Sequence, residues 1–263
     1  MWRLSVVAPS VGEVISDAGD LRDTVSLVTG GASGLGEAVS SELAARGAHV
    51  VLLDPDAATA EELVGRIAAT GGSAQAVVAD VRDPDQLASA VDLAAARGPL
   101  FAVISNAGGW DGLESHYPDV EPADWMAVLD LNLMAPMRLL QVARPAIAEG
   151  GAFVHVSSVA GVETTPYASP EYAVAKAGIV RLTTALGDLD QRSGPRVSCV
   201  VPGWIALPRA RQQLAELDPE DRISAPPLVP VGQVVDEIVR LVVDPSSGGE
   251  VVVLDGDERR PIS

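Results

Sequence analysis

The chain has 263 residues, 48% of them apolar and only 3% aromatic, with 36 acidic against 18 basic side chains and a net charge of −18. That acidic excess argues against nucleic acid or an anionic membrane as partner, because both need a basic face. A single cysteine, Cys199, rules out an internal disulfide and leaves no cysteine cluster for a metal.

Residues 1–22 show no clear period and are expected to form an N-terminal extension. One arginine and an apolar run broken by Pro9, Gly12 and Glu13 make a poor signal peptide. No run approaches the ~20 apolar residues of a membrane span, so a cytoplasmic protein is expected. Val25–Thr29 reads as a buried strand ending at Gly30-Gly31-Ala32-Ser33-Gly34-Leu35-Gly36, and a helical pattern runs on to Arg46. His49–Leu53 is a second strand closed by Asp54, residues 57–69 a helix, Ala74–Ala79 a third strand closed by Asp80, and Pro84–Ala96 a helix. Leu100–Ile104 is a fourth strand running into Asn106-Ala107-Gly108-Gly109. A loop rich in Gly, Asp and aromatics follows, then a long helix over about 122–148. Ala152–Val156 is a fifth strand running into Ser157-Ser158, residues 171–191 a helix carrying Tyr172 and Lys176, and Arg196–Val201 a sixth strand stopped by Pro202-Gly203. Residues 206–230 are polar and proline-rich, with a short helix at 208–216, and Val234–Val243 and Glu250–Leu254 read as a last helix and a seventh strand.

Apolar runs alternating with amphipathic helices are the signature of a parallel sheet covered on both faces. One doubly wound α/β domain over 23–263 is expected, with ligands at the carboxyl ends of the strands. The unusual residues fall at those ends: Gly30–Gly36, Asp54, Asp80, Asn106–Gly108, Ser158 and Pro202-Gly203.

The glycines between the first strand and helix let the backbone approach a pyrophosphate, and the helix N-terminus adds unpaired N–H groups and partial positive charge. Lacking a following Lys-Ser/Thr, the loop does not read as that of a P-loop NTPase. Asp54 can accept hydrogen bonds from both ribose hydroxyls of NAD and repels a 2′-phosphate, so NAD is favoured over NADP; as a bland alternative it caps the following helix. Tyr172 and Lys176, at i and i+4, share one helical face. Lys176 is the only lysine beside seventeen arginines. An ammonium beside a phenol favours the phenolate, a route to a general acid/base near neutral pH.

These pieces, in this order, resemble the classical short-chain dehydrogenase/reductase family: Thr29-Gly30-Gly31-Ala32-Ser33-Gly34-Leu35-Gly36, Asp80-Val81, Asn106-Ala107-Gly108, Asn132, Ser158, Tyr172-xxx-Lys176 and Pro202-Gly203, over about 23–256. Asn106 and Asn132 are the only asparagines in the chain, and both fall at family positions. The resemblance implies a Rossmann-type sheet of seven parallel strands and a catalytic tetrad of Asn132, Ser158, Tyr172 and Lys176. Tyr172 would exchange a proton with the substrate oxygen. Lys176 would lower its pKa and hold the nicotinamide ribose. Ser158 would hold the substrate oxygen, and Asn132, at a distortion in the long helix, would position a water. For the cofactor the resemblance implies Gly30, Ser33, Gly34, Leu35 and Gly36 at the pyrophosphate, Asp54 at the ribose, Asp80 and Val81 at the adenine, and Asn106, Ala107 and Gly108 behind it. Pro202, Gly203 and Ile205 would lie towards the carboxamide. The expected activity is hydride transfer between NAD(H) and a small-molecule secondary alcohol or ketone, by a homodimer or homotetramer joined through the helices at 122–148 and 171–191. Alternatives are an NADP-linked ketoreductase acting on a 3-oxoacyl thioester, and a dinucleotide-binding protein without turnover.

Some positions depart from the family. The Ser158–Tyr172 separation of fourteen is one longer than usual, Leu207 stands where Thr is common, Ser105 replaces a frequent Asn and Ala175 a frequent Ser. Among the remaining candidates, Ser157 is a rival to Ser158, and Tyr167 a rival tyrosine followed four residues on by Glu171 instead of a cation. His155 reads as a satisfied core histidine, His116 and Tyr117 as surface loop, and Trp125 as helix packing. Trp110, Tyr167 and Trp204 are candidates for lining a substrate pocket, and 206–230 for the lid that chooses the substrate.

Overall fold

The apolar runs form seven strands: β1 (Val25–Thr29), β2 (His49–Asp54), β3 (Ser73–Val78), β4 (Leu100–Ser105), β5 (Ile147–Val156), β6 (Arg196–Pro202) and β7 (Val251–Asp255). The computed structural model describes residues 19–110, 115–187 and 194–262. Successive side chains on these strands go to opposite faces. Val28, Val50, Leu52, Val154 and Val156 enter one core, with Val39, Leu43, Ile238 and Leu241 from helices α1 (Gly34–Ala45) and α9 (Val231–Val243). Leu27, Val51, Leu53, Val103 and Phe153 enter the other, with Leu87, Val91 and Leu139 from α3 (Pro84–Arg97) and α5 (Ala135–Ala143). Burial on both faces is why the strands read as unbroken apolar runs.

The sheet order is β3-β2-β1-β4-β5-β6-β7-β8. The first seven strands are parallel, in the doubly wound arrangement expected. The eighth, β8 (Glu258–Ile262), corrects the count of seven: it returns antiparallel on β7 after a turn at Gly256. Its sequence, Glu-Arg-Arg-Pro-Ile, is charged and carries a proline, so it has no apolar pattern to read. Those are the properties that keep an exposed edge from pairing with another chain.

Among the described residues, side-chain caps set two α-helix starts, those of α2 (Ala57–Ala69) and α3. Asp56 accepts from the N–H groups of Ala58 and Thr59 at the start of α2, and Asp83 from Asp85 and Gln86 at the start of α3. Proline opens α3, α4 (Pro122–Leu129), α6 (Pro170–Leu186), α7 (Pro208–Glu216) and α8 (Pro219–Ser224), at the position where its missing N–H has no helical partner to lose. The expected helix at 208–216 is α7; α8 has no separate signal in the sequence.

The long helix expected over 122–148 ends at Ala143. Arg144 caps it and Pro145 follows, which disfavours helical backbone before it; β5 starts at Ile147, five residues before the strand expected at Ala152. Between α4 and α5 the rod passes through a π-helical turn, Asp130–Met134. Pro122–Ala143 is long and apolar enough on average to resemble a membrane span, but it is broken by Asp124, Asp130, Asn132, Arg138 and Gln141. In the fold its C-terminal half lies against the sheet through Ala135, Leu139, Leu140 and Ala143. The part of α6 expected to reach residue 191 lies outside the described residues beyond Gly187, as does most of the expected extension. Leu21, at the end of that extension, is fully buried in the core with Val28 and Leu43.

Candidate active site

The strand order reverses between β1 and β4, so their carboxyl ends part and open a crevice. Asn106, just past β4, closes its floor. Its Nδ2 donates to the carbonyl oxygens of Thr29 (3.0 Å) and Gly30 (3.1 Å). Thr29 Oγ1 in turn accepts the N–H groups of Asn106 (3.0 Å) and Ala107 (3.1 Å). The glycine loop is thereby clipped to β4. A Cβ on Gly36 would stand 1.9 Å from the Gly30 oxygen and 2.7 Å from Asn106 Nδ2, so only hydrogen fits there. Ser33 caps α1 with extended backbone and no side-chain cap bond, which leaves the first helical N–H groups for a ligand.

Asp54 is buried at the end of β2. Its Oδ2 accepts from Ala32 N–H and its Oδ1 from Asp56 N–H, each at 3.1 Å. It therefore braces the glycine loop, and the helix cap considered for it is Asp56 instead. Asp80 lies just past β3 with Val81 buried beside it. Its carboxylate pairs with Arg82 at 2.8 Å, and that bond holds the carboxyl below its usual range.

Across the crevice stands α6. Tyr172 and Lys176 lie on one face of it, with Lys176 Nζ 5.4 Å from the Tyr172 ring centre. Lys176 is 4% exposed and Nζ donates to Val156 O at 3.0 Å. Burial lowers its pKa to about 8. Ser158, after β5, accepts from Ala160 N–H at 3.2 Å and acts on the Tyr172 hydroxyl across the cleft that both line. Ser157 instead turns its hydroxyl into the Lys176 carbonyl at 2.8 Å, behind the site. Tyr172 departs from the expectation that Lys176 would depress it: burial raises the phenol above its ordinary value, Tyr167 adds to the rise, and only Ser158 opposes it. The lysine is itself desolvated and held on a backbone carbonyl.

Asn132 is fully buried in the π turn. Its Nδ2 donates to Val128 O (2.9 Å) and Gly109 O (2.6 Å), and its Oδ1 accepts from Gly109 N–H (2.9 Å). The widened turn leaves Val128 O to the side chain, and the amide fastens the loop after β4. A Cβ on Gly108 would meet both Asn132 Oδ1 (2.7 Å) and Lys176 Nζ (3.1 Å), so these two groups face one small space.

Gly30, Ser33, Leu35, Asn106, Ala107, Gly108, Ser158, Tyr172, Lys176, Pro202, Gly203, Ile205 and Leu207 line one cleft of about 350 Å³. Gly34 lies at its edge, 3.5 Å from Leu207 when a Cβ is built on it. Asp54 and Asp80 sit at strand ends beyond it. A second cavity of about 380 Å³ shares Gly108, Ile205 and Leu207 with the cleft and continues between Trp110, Trp204 and α7. Trp110 stands edge-on to Tyr172 at 5.0 Å, and Tyr167 stacks on Tyr172 at 6.2 Å.

Sequence reasoning missed a clasp beside the site. Glu171, next to Tyr172, is buried. It binds His116 Nδ1 at 2.7 Å and accepts from Tyr117 N–H at 3.3 Å. His116 and Tyr117 thus fasten their loop to the start of α6. Burial alone would raise the Glu171 carboxyl; the bond from His116 leads those that bring it below its ordinary 4.5. Because folding lowers this carboxyl, its contribution is complete above that value and is lost as pH falls through the folded pKa. Glu171→Ala is expected to cost about 2 kcal/mol, a melting temperature lower by about 4–8 °C, measured at pH 7. An unchanged melting temperature would show the clasp to be idle. His155 departs from expectation in another way. It is buried, and neither ring nitrogen has a hydrogen-bond partner among the described residues; burial holds its pKa at about 3.

A family model described as short chain dehydrogenase matches residues 24–218. The chain belongs to the short-chain dehydrogenase/reductase family. It is 32% identical to the cyclohexanol dehydrogenase of Acinetobacter sp. (strain SE19), over 89% of this chain and 94% of that one. It is 30% identical to the 3-oxoacyl-(acyl-carrier-protein) reductase FabG of Thermotoga maritima, over 90% and 98% respectively. A short chain dehydrogenase from Burkholderia cenocepacia J2315, solved in complex with NADP, superposes with a TM-score of 0.78 at 27% identity, over 90% of this chain and 98% of that one. As a short-chain dehydrogenase/reductase, the chain is an oxidoreductase acting on CH–OH and C=O groups. The cleft fits the family's nicotinamide dinucleotide: backbone closely packed at Gly36, open helix N–H groups at Ser33, and a polar far wall at Ser158, Tyr172 and Lys176.

Proposed function

We propose that the protein is an NAD-dependent dehydrogenase/reductase of secondary alcohols and ketones, with Tyr172 as general acid/base. The observation that carries this reading is Tyr172 itself: its ring centre 5.4 Å from Lys176 Nζ, and its side chain on the wall of the same cleft as Ser158 and Lys176. The cofactor, when bound, supplies or accepts the hydride. The chain's own residues do the rest. Ser158 holds the substrate oxygen and steadies charge developing on it. Tyr172 gives that oxygen a proton in reduction and removes it in oxidation. Lys176, desolvated and oriented by Val156 O, is placed for the nicotinamide ribose. Asn132 keeps the loop at Gly109 and the space beside Lys176 in shape.

Asp54 supports NAD, because a buried carboxylate beside the glycine loop repels a 2′-phosphate. Asp80 is a candidate for the adenine, sharing its carboxylate with Arg82. The FabG relative and the NADP-bound neighbour favour a second reading, an NADP-linked ketoreductase of 3-oxoacyl thioesters. Fluorescence titration separates the two: NADH is expected to bind at least tenfold tighter than NADPH, and the reverse order would defeat the Asp54 argument. Met126, Met134, Met137 and Val174 stand exposed on α4, the π turn, α5 and α6, which supports assembly of copies through those helices.

A further inference from the structure

The cavity that continues the cleft is mostly apolar, with Trp110, Trp204 and Leu207 on its walls. At about 380 Å³ it lies at the small end of the roughly 300–1,000 Å³ of small-molecule sites. One charge borders it. Arg209, on the first turn of α7, lines the cavity together with Gln213, one helical turn further on the same face. Arg209 makes no hydrogen bond or ion pair among the described residues. The chain carries 36 acidic side chains against 18 basic ones. Most of its arginines are engaged: Arg66 with Glu37, Arg82 with Asp80, Arg138 with Asp130, Arg240 and Arg259 with Glu237. Placed on the wall of an apolar cavity that joins the cleft lined by Tyr172, the exposed Arg209 guanidinium favours a ligand that brings its own negative charge. The positive end of α7 adds to it.

We propose that the substrate is a compact apolar secondary alcohol or ketone carrying an anionic group, which Arg209 binds while the carbinol carbon faces Tyr172. This deepens the dehydrogenase reading and rests on it. A carboxylate on the substrate itself and the phosphate of a phosphopantetheine thioester offer the same chemistry to a guanidinium.

The test compares the full-length protein with Arg209→Gln and Arg209→Lys, using NAD(H) as cofactor. One arm measures kcat/KM for alicyclic hydroxy acids and for their neutral amides. The other uses a 3-hydroxyacyl phosphopantetheine and its dephosphorylated form. Arg209→Gln is expected to lower the preference for the anionic member of a pair by about 20-fold, through KM. Arg209→Lys should restore part of it. The effect in the carboxylate arm identifies a free hydroxy acid, and in the phosphate arm a carrier-linked substrate. A preference within twofold of wild type in both arms overturns the proposal. Quenching of tryptophan fluorescence by each anion is measured alongside turnover. If the wild type turned over none of the substrates yet bound the anion in an Arg209-dependent way, the dehydrogenase reading would fail and the anion site would stand. Absence of Arg209-dependent binding and preference alike would remove the site while leaving turnover of neutral alcohols intact.

Discussion

Tyr172→Phe is expected to lower kcat/KM by about 10²–10⁴-fold, the usual range for loss of a positioned acid/base, while the affinity for NADH changes little. The substitution removes one oxygen. The ring, with its edge contact to Trp110 and its stack on Tyr167, stays in place. Nicotinamide absorbance reads turnover and NADH fluorescence reads binding, so the two effects separate. Because burial raises the phenol, the wild-type hydroxyl is protonated across neutral pH. That suits it to donate a proton in reduction, and oxidation by the wild type is expected to speed up as pH rises. A Phe variant retaining a tenth of wild-type activity would assign the proton transfer to another group.

Gly36→Ala is expected to be the most damaging single methyl in the chain. The added carbon would stand 1.9 Å from the Gly30 oxygen, backbone against backbone, with Asn106 Nδ2 at 2.7 Å. Neither neighbour can yield without undoing the clip between the glycine loop and β4. The cost is about 3 kcal/mol, at the upper end for overpacking, or a melting temperature lower by about 6–12 °C in a protein of this size, with loss of NADH binding. Gly65→Ala is the internal comparison. Gly65 lies in α2 with nothing within 4 Å of its missing Cβ, so the same chemical change should stabilise the protein by about 0.5–1 kcal/mol. Equal melting temperatures for the two variants would mean that the loop reshapes freely.

The parallel part of the sheet was legible because its strands are buried on both faces and so read as apolar runs. Strand β8 was not, since an edge strand is written in charges and a proline. Glycines and asparagines at strand ends mark the crevice in the sequence because those residue types are demanded by backbone geometry at fixed places. The pairing of Glu171 with His116 left no trace, since the partners come from a loop and the start of α6, 55 residues apart, and neither type is unusual where it stands. The balance on Tyr172 was legible only in part. Spacing places a lysine beside it, but desolvation depends on Trp110 and Tyr167, which the chain brings in from two other segments. Asp54 and Asp56 show the limit of local reading: two carboxylates two residues apart divide bracing and capping between them.

A π turn winds one residue more than the α-helix on either side of it, so everything beyond Asp130–Met134 is turned by about 100° relative to an uninterrupted rod. That offset is a phase adjustment. It lets Leu139 and Ala143 meet the sheet while Asn132 meets Gly109, two directions that one regular helix could not present in this spacing. Any point substitution in the rod leaves the offset alone. Deleting one residue would remove it, and with a tidier helix the protein would have to surrender either its packing or its amide.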